Sequence, residues 1–312
     1  MEKKFVSIVL YLHNNENCIE HFLETSVKTV KDNFENYELI CMDDACTDNT
    51  IPRIKEYFQK NFAGDTVTTV KMGTYQGLEA SMNAGRDIAI GDFVFEFDSP
   101  YVDYESDMIM KAYETSAEGM DIAIVAPSKN SGLTSAVFYA IFNSFSGSEN
   151  KICSDSFRLI SRRAINRIKS ISDFVPYRKA LYANCGLKFK TLYYKANPNS
   201  KIKREKKTHE RFNLAFDSFV YFTNFLERVS TFISMFFLLF TVGSVVYAIW
   251  DHCTNGSIAE GWTSIICFLS FGFFGVFVLL TIILKYLSVI VNLVFRRQKY
   301  VVESIEKNGG EA

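Results

Sequence analysis

The chain has 312 residues, and its 34 Lys and Arg against 35 Asp and Glu leave it close to neutral. That balance excludes the strongly basic surface of a nucleic-acid-binding protein. The seven cysteines, at 18, 41, 46, 153, 185, 253 and 267, form no Cys-x-x-Cys pair, which argues against a zinc site or a disulfide framework and for reduced thiols.

In chain order, the opening "MEKKFVSIVLYL" has too short an apolar stretch for a signal peptide and reads as a first strand over 5–12. Further strands are predicted at 37–44, 66–72, 92–98 and 121–127, where apolar and β-branched runs suit burial on both faces. Helices are predicted near 17–31, 50–61, 77–89 and 104–118, and this alternation predicts an α/β domain with a doubly wound, mostly parallel sheet. In such sheets ligands gather at the carboxyl ends of the strands. Polar residues cluster there: His13, Asn14 and Glu16 after the first strand, Asp43 and Asp44 at the end of the second, and Asp98 after "DFVFEF". No GxGxxG or GxxxxGK[ST] occurs, so dinucleotide and P-loop readings fail.

The segment 132–148 has apolar residues near helical spacing and suits either an interfacial helix or a core-facing one. The basic run "KIKREKKTHER" (201–211) leads into "RFNLAFDSFVYFTNFLERV", whose aromatic belt predicts an interfacial helix over 211–228. Two uncharged apolar runs follow, 229–250 and 263–284, each long enough for a bilayer core that needs about 20 residues. Lys and Arg flank the pair at 201–211 and in "FRRQK", and the linker "DHCTNGSIAEG" has none. The positive-inside bias then predicts a transmembrane hairpin over 229–284, with the 1–210 domain and a 285–312 tail both cytoplasmic.

The segments "VSIVLYLHNNEN", "LICMDDACTDNT", "GLEASMNAGRDIAIGDFVFEFDS" and "FRLISRRAIN" occur in that order. Together with the hairpin they resemble the inverting GT-A glycosyltransferases of family 2, and within them the polyprenyl-phosphate glycosyltransferases and dolichyl-phosphate mannose synthases. The resemblance covers nearly the whole chain. It implies a Rossmann-like GT-A domain that moves a sugar from a UDP- or GDP-sugar to undecaprenyl or dolichyl phosphate, for cell-envelope or glycan assembly. It further implies an integral protein of a bacterial plasma membrane, and, by analogy, a homo-oligomer.

Residue by residue, the resemblance casts His13, Asn14, Glu16 and Asp43 at the nucleotide base, with Asp44 supporting their loop. It casts Ser200, Lys201 and Arg204 at the diphosphate, and Asp98, Asp155 and Arg158 in the catalytic group. It implies Mg²⁺ or Mn²⁺ at Asp98, with Asp103 or Asp155 as helper. The lipid phosphate is already an anion, so inversion requires in-line placement more than a strong base. The chain departs from the family's pattern in three places. "DADLQDPPE" becomes Asp98-Ser99-Pro100-Tyr101-Val102-Asp103-Tyr104-Glu105-Ser106; the acidic residue before "FRL" is Ser156, with Asp155 one position earlier; and "PVYNEE" becomes Tyr11-Leu12-His13-Asn14-Asn15-Glu16. Three alternatives therefore stay open: metal-independent transfer, with Lys201, Lys203 or Arg204 in the cation's place; a catalytically impaired relative that binds nucleotide or a partner enzyme; and a transferase with another lipid or a polysaccharide as acceptor.

Overall fold

The structure is a computed structural model. It describes residues 1–62, 64–128, 150–171, 177–197, 261–295 and 300–308, with scattered positions between 139 and 144 and between 229 and 254. The chain divides into two compact units. One comprises 1–143, 148–211 and 297–312; the other comprises 144–147 and 212–296.

The first unit is built on an eight-stranded sheet. Its strands are β1 (Glu2–Leu12), β2 (Phe34–Asp43), β3 (Val67–Met72), β4 (Phe93–Phe97), β5 (Ile122–Pro127), β6 (Phe157–Ser161), β7 (Phe189–Tyr194) and β8 (Val302–Asn308), in the order β7-β5-β6-β4-β1-β2-β3-β8. The central block β4-β1-β2-β3 is parallel, as is the β5–β7 pair, whereas β6 runs antiparallel to β4 and β5, and β8 antiparallel to β3. From Val6 to Leu10 every residue of β1 is buried, as expected of a central strand covered on both faces.

The covering helices follow the predicted alternation. They are α1 (Ile19–Phe22), continuing through a π turn (Leu23–Val27) into α2 (Lys28–Asn33), then α3 (Thr50–Asn61), α4 (Leu78–Ile88), α5 (Asp107–Ala117), α6 (Arg162–Ile171) and α7 (Arg178–Asn184). On one face Phe22, Phe97 and Phe157 join α1 to the sheet, with ring centroids 4.8 and 5.0 Å apart. Burying each such side chain contributes about 1.5–3 kcal/mol. On the other face α4 lies close enough that a Cβ at Gly85 would meet Val9 Cγ1 at 2.4 Å and the Met42 sulfur at 2.9 Å, so only glycine fits there.

Strands β6, β7 and β8 and helices α6 and α7 are additions to the predicted elements. The greatest difference concerns the segment expected to be a tail, 285–312. A long helix, α8 (Trp262–Phe295), extends eleven residues into it from the predicted span end at 284, and residues 302–308 return to the sheet as β8.

The second unit holds α8, which contains the whole second apolar run. The described residues of the first run are helical, and Phe236, Phe237 and Phe240 pack against Phe268 and Phe271 of α8 at centroid distances of 5.1 to 6.3 Å. Taken over its described residues alone, no helix is long and apolar enough to cross a membrane. Over its full sequence α8 carries no charge from Trp262 to Leu284. The predicted helix at 211–228, most of the segment 132–148, and Ser200, Lys201, Lys203 and Arg204 lie outside the described residues.

Candidate active site

Two polar groups form at the carboxyl ends of the central strands. The first gathers where β1 and β2 end. Asp44 is fully buried and accepts three hydrogen bonds: from Tyr11 Oη (2.9 Å), from the Gln76 amide (2.8 Å) and from the Gly77 amide (2.8 Å). Gly77 has φ +83°, a backbone state that favours glycine, and it turns the chain into α4. Burial, followed by the Asp44 charge, raises the Tyr11 hydroxyl pKa far above its usual value, so Tyr11 remains a donor.

His13 Nδ1 lies 2.6 Å from the Asp44 carbonyl oxygen. Because a carbonyl can only accept, this contact puts the proton on Nδ1. The His13 ring packs on Tyr75 at 4.7 Å, and Tyr75 is exposed. Asn14 sits at φ 56° and accepts from Thr47, while the Glu16 carboxylate accepts from the Asn49 amide. Asp43 accepts from the Cys46 amide. His13, Asn14, Glu16, Asp43 and Asp44 thus occupy one loop pair, in which Asn14 and Glu16 brace the 44–49 loop. Tyr75, absent from the sequence reading, adds an aromatic face beside His13.

The second group lies beneath the end of β4 and is a buried network of charges. Arg158 reaches Asp155 Oδ2 (2.9 Å), Asp98 Oδ2 (2.5 Å) and Glu96 Oε2 (3.4 Å). Arg178 reaches Glu79 Oε2 (2.8 Å), Glu96 Oε2 (2.6 Å) and Asp98 Oδ1 (2.8 Å). Lys179 pairs with Asp155, and Tyr182 Oη donates to Glu96 Oε1 at 2.9 Å. Both guanidiniums are buried, and Asp98 is only 9% exposed. In this water-poor setting, removing one partner of an ion pair costs about 3–5 kcal/mol.

Burial alone would push the Asp98 carboxyl up. The attractions of Arg158, Arg178 and Lys179 outweigh it and hold Asp98 well below the usual carboxylate range. Burial likewise opposes the charge on Arg178, but Glu79, Glu96 and Asp98 more than offset it and raise its pKa.

Asp98, Asp155 and Arg158 therefore come together in one network of ion pairs. Each Asp98 oxygen faces a guanidinium, Pro100 offers no side-chain donor, and Asp155 is engaged by Arg158 and Lys179. Asp103 accepts from Tyr194 Oη, and Ser156 Oγ lies 3.4 Å from the same carboxylate. Among the described residues, no cluster of three or more His, Cys, Asp or Glu side chains is placed to hold a metal. The residues present do not fit a divalent cation at Asp98.

Arg178, Lys179, Glu79, Glu96 and Tyr182 were missed at the sequence level. One signal for them was present: a glutamate in the middle of the aromatic strand "FVFEF", which if buried demands a buried cation.

The family model described as glycosyl transferase family 2 matches residues 7–169. A glycosyltransferase of Synechocystis sp. named sll0501, itself uncharacterised, is 22% identical over 272 residues, which is 85% of this chain and 84% of its own length. The undecaprenyl-phosphate 4-deoxy-4-formamido-L-arabinose transferase of Proteus mirabilis is 28% identical over 117 residues, 38% of this chain and 35% of its own. The mannosyltransferase PcManGT from Pyrobaculum calidifontis, solved with GDP-Man and Mn²⁺, superposes with a TM-score of 0.50 at 14% identity and covers 96% of this chain and 89% of its own. Glucosyl-3-phosphoglycerate synthase from Mycobacterium tuberculosis, solved with Mn²⁺, UDP and phosphoglyceric acid, also gives 0.50, at 15% identity and with coverage of 70% and 76%. Both solved structures support the GT-A-like sheet. The family match begins in β1 and ends in α6, taking in the first polar group and, of the second, Glu79, Glu96, Asp98, Asp155 and Arg158, and on that extent the chain belongs to glycosyl transferase family 2.

Proposed function

We propose that this glycosyltransferase is membrane-bound and moves a sugar, with inversion, from a nucleotide-diphosphate donor to a polyprenyl phosphate. The observation that carries the membrane part is the apolar second unit. On α8 the side chains of Phe273, Phe274, Phe277, Ile283 and Leu284 are all exposed, as are Phe232, Met235 and Leu239 of the first run. An apolar surface of this extent needs a cover, and lipid supplies one. The relative from Proteus mirabilis, whose name specifies undecaprenyl phosphate, supports the acceptor class.

In this reading the base lies against the His13–Tyr75 pair, near the loop that Asp44 fixes. The donor diphosphate extends toward the end of β4. As its bond to the sugar breaks, negative charge grows on the leaving diphosphate, and preorganised cations stabilise it. Lys179 stands at the partly open edge of the charged network, and the basic segment 201–211 supplies further positive charge. The lipid phosphate attacks as an anion, so the protein's main task is to hold the two reactants in line.

The test is transfer of labelled sugar from a panel of UDP- and GDP-sugars to undecaprenyl phosphate by the purified full-length protein. Product that partitions with the lipid is the expected result. Nucleotide binding without product from any donor would instead favour a binding subunit. Product formed only on a glycerolipid or polysaccharide would replace the acceptor.

A further inference from the structure

Resting on the donor-site reading above, we infer that Asp98 is a positioning residue for the guanidiniums of Arg158 and Arg178 and not a metal ligand, and that this chain binds its donor diphosphate without a divalent cation. Both carboxylate oxygens are already in use: Oδ2 accepts from Arg158 at 2.5 Å and Oδ1 from Arg178 at 2.8 Å. Two charge-assisted hydrogen bonds on separate oxygens satisfy a buried carboxylate well. Turning Asp98 toward a metal would take from each of two buried guanidiniums one charged acceptor, leaving Glu96 as the only carboxylate they share, where little water reaches them. It would also bring a dication close to both, and like charges repel strongly in such surroundings.

The neighbouring residues offer no second anchor. Pro100 has no donor atom. Asp155 is held by Arg158 and Lys179, and Asp103 by Tyr194. The fixed positive charge that a metal would supply is instead built into the protein. Arg178 ties β4 to α4 through Glu79 and Glu96, and Lys179, next in sequence, has a side chain that is 15% exposed and an ammonium paired with Asp155. In this inference the Lys179 ammonium, at the less buried edge of the network, meets a phosphate oxygen, and Asp98 holds its neighbour Arg178 in position.

The deciding experiment measures UDP and GDP binding to the full-length protein by calorimetry, in saturating Mn²⁺ and in EDTA. Mn²⁺ paramagnetic resonance is recorded in parallel. The expected result is that at least one nucleotide binds with a Kd that agrees within about twofold in the two conditions, that the protein removes no Mn²⁺ signal beyond what the nucleotide alone removes, and that Lys179→Met weakens binding about tenfold, the scale of one charge-assisted contact. Binding at least about tenfold tighter in Mn²⁺, with the gain lost in Asp98→Asn, would overturn the inference while leaving the donor site standing. If Asp98→Asn fails to fold, the comparison of Mn²⁺ with EDTA on the unaltered protein decides the matter alone. Failure of both nucleotides to bind in either condition would instead remove the donor-site reading, and the inference with it.

Discussion

At the scale of single residues, the charged network sets how the protein responds to acid. Asp98 has a folded-state pKa held below that of an unfolded-chain aspartate, which is about 3.9. The stability it contributes is therefore complete above about pH 4 and is lost as pH falls from there toward its folded value. Between the two values the slope from this one group is about 1.4 kcal/mol per pH unit. Urea unfolding followed from pH 5 to pH 2 should show that decline, and Asp98→Asn should flatten it by about one proton. An unchanged slope would mean that Asp98 is not charge-coupled to the arginines. Asp44 makes a separate case, because its partners are two backbone amides and one hydroxyl. Asp44→Ala should cost on the order of 3 kcal/mol by stranding those donors, seen as a lower urea midpoint with an unchanged m-value.

Among the elements, β8 shows best what could and could not be read from sequence. Strands β1 to β5 and the helices between them follow local patterns: apolar runs buried on both faces, and helical spacing with turn residues at the boundaries. "VESIEKN" has no such pattern: its two apolar residues, Val302 and Ile305, are three apart and so fall on opposite faces of a strand, and Ile305 is exposed. Its partner β3 lies far away in sequence, so no local signal announces the pairing. The same holds for Arg178 and Lys179, which look like ordinary helix residues until the fold brings Glu79, Glu96 and Asp98 to Arg178 and Asp155 to Lys179. The strand-end residues His13, Asn14, Asp43, Asp44 and Asp98 were legible because parallel-sheet topology alone puts them on one edge.

What holds β8 is mostly backbone pairing, reinforced by the Gln76 side chain. Gln76 donates to the Val301 carbonyl at 2.6 Å and accepts from the Val301 amide at 2.8 Å. The Lys71–Glu303 and Lys55–Glu306 pairs are exposed and add little. Gln76→Ala should therefore cost about 1 kcal/mol. Truncation after Gln298 should cost more and should also uncover the β3 edge, so that light scattering finds association absent from the full chain. A truncated protein that stays monodisperse and equally stable would show that β8 contributes nothing.

For the whole molecule, the β3–β8 pairing constrains how the chain can meet a membrane. The chain leaves the first unit after Arg211 and rejoins it at Arg297, and the returning strand is hydrogen-bonded to one formed before the apolar runs begin. Because β7 and β8 belong to one sheet, both lie on the same side of any bilayer. An even number of crossings follows from the sheet alone, independently of the charge bias of the flanks. Two apolar runs with a linker free of Lys and Arg satisfy that condition if the linker reaches the far side. Cys253 in that linker is a native reporter. A membrane-impermeant maleimide applied to intact bacterial spheroplasts should label the protein, and Cys253→Ser should abolish the label. The remaining thiols lie in the first unit or, for Cys267, within the second apolar run. Labelling of Cys253 only after lysis would put the linker on the same side as the sheet. The apolar unit would then rest on the membrane without crossing it, and the lipid acceptor proposed above would be met at that surface.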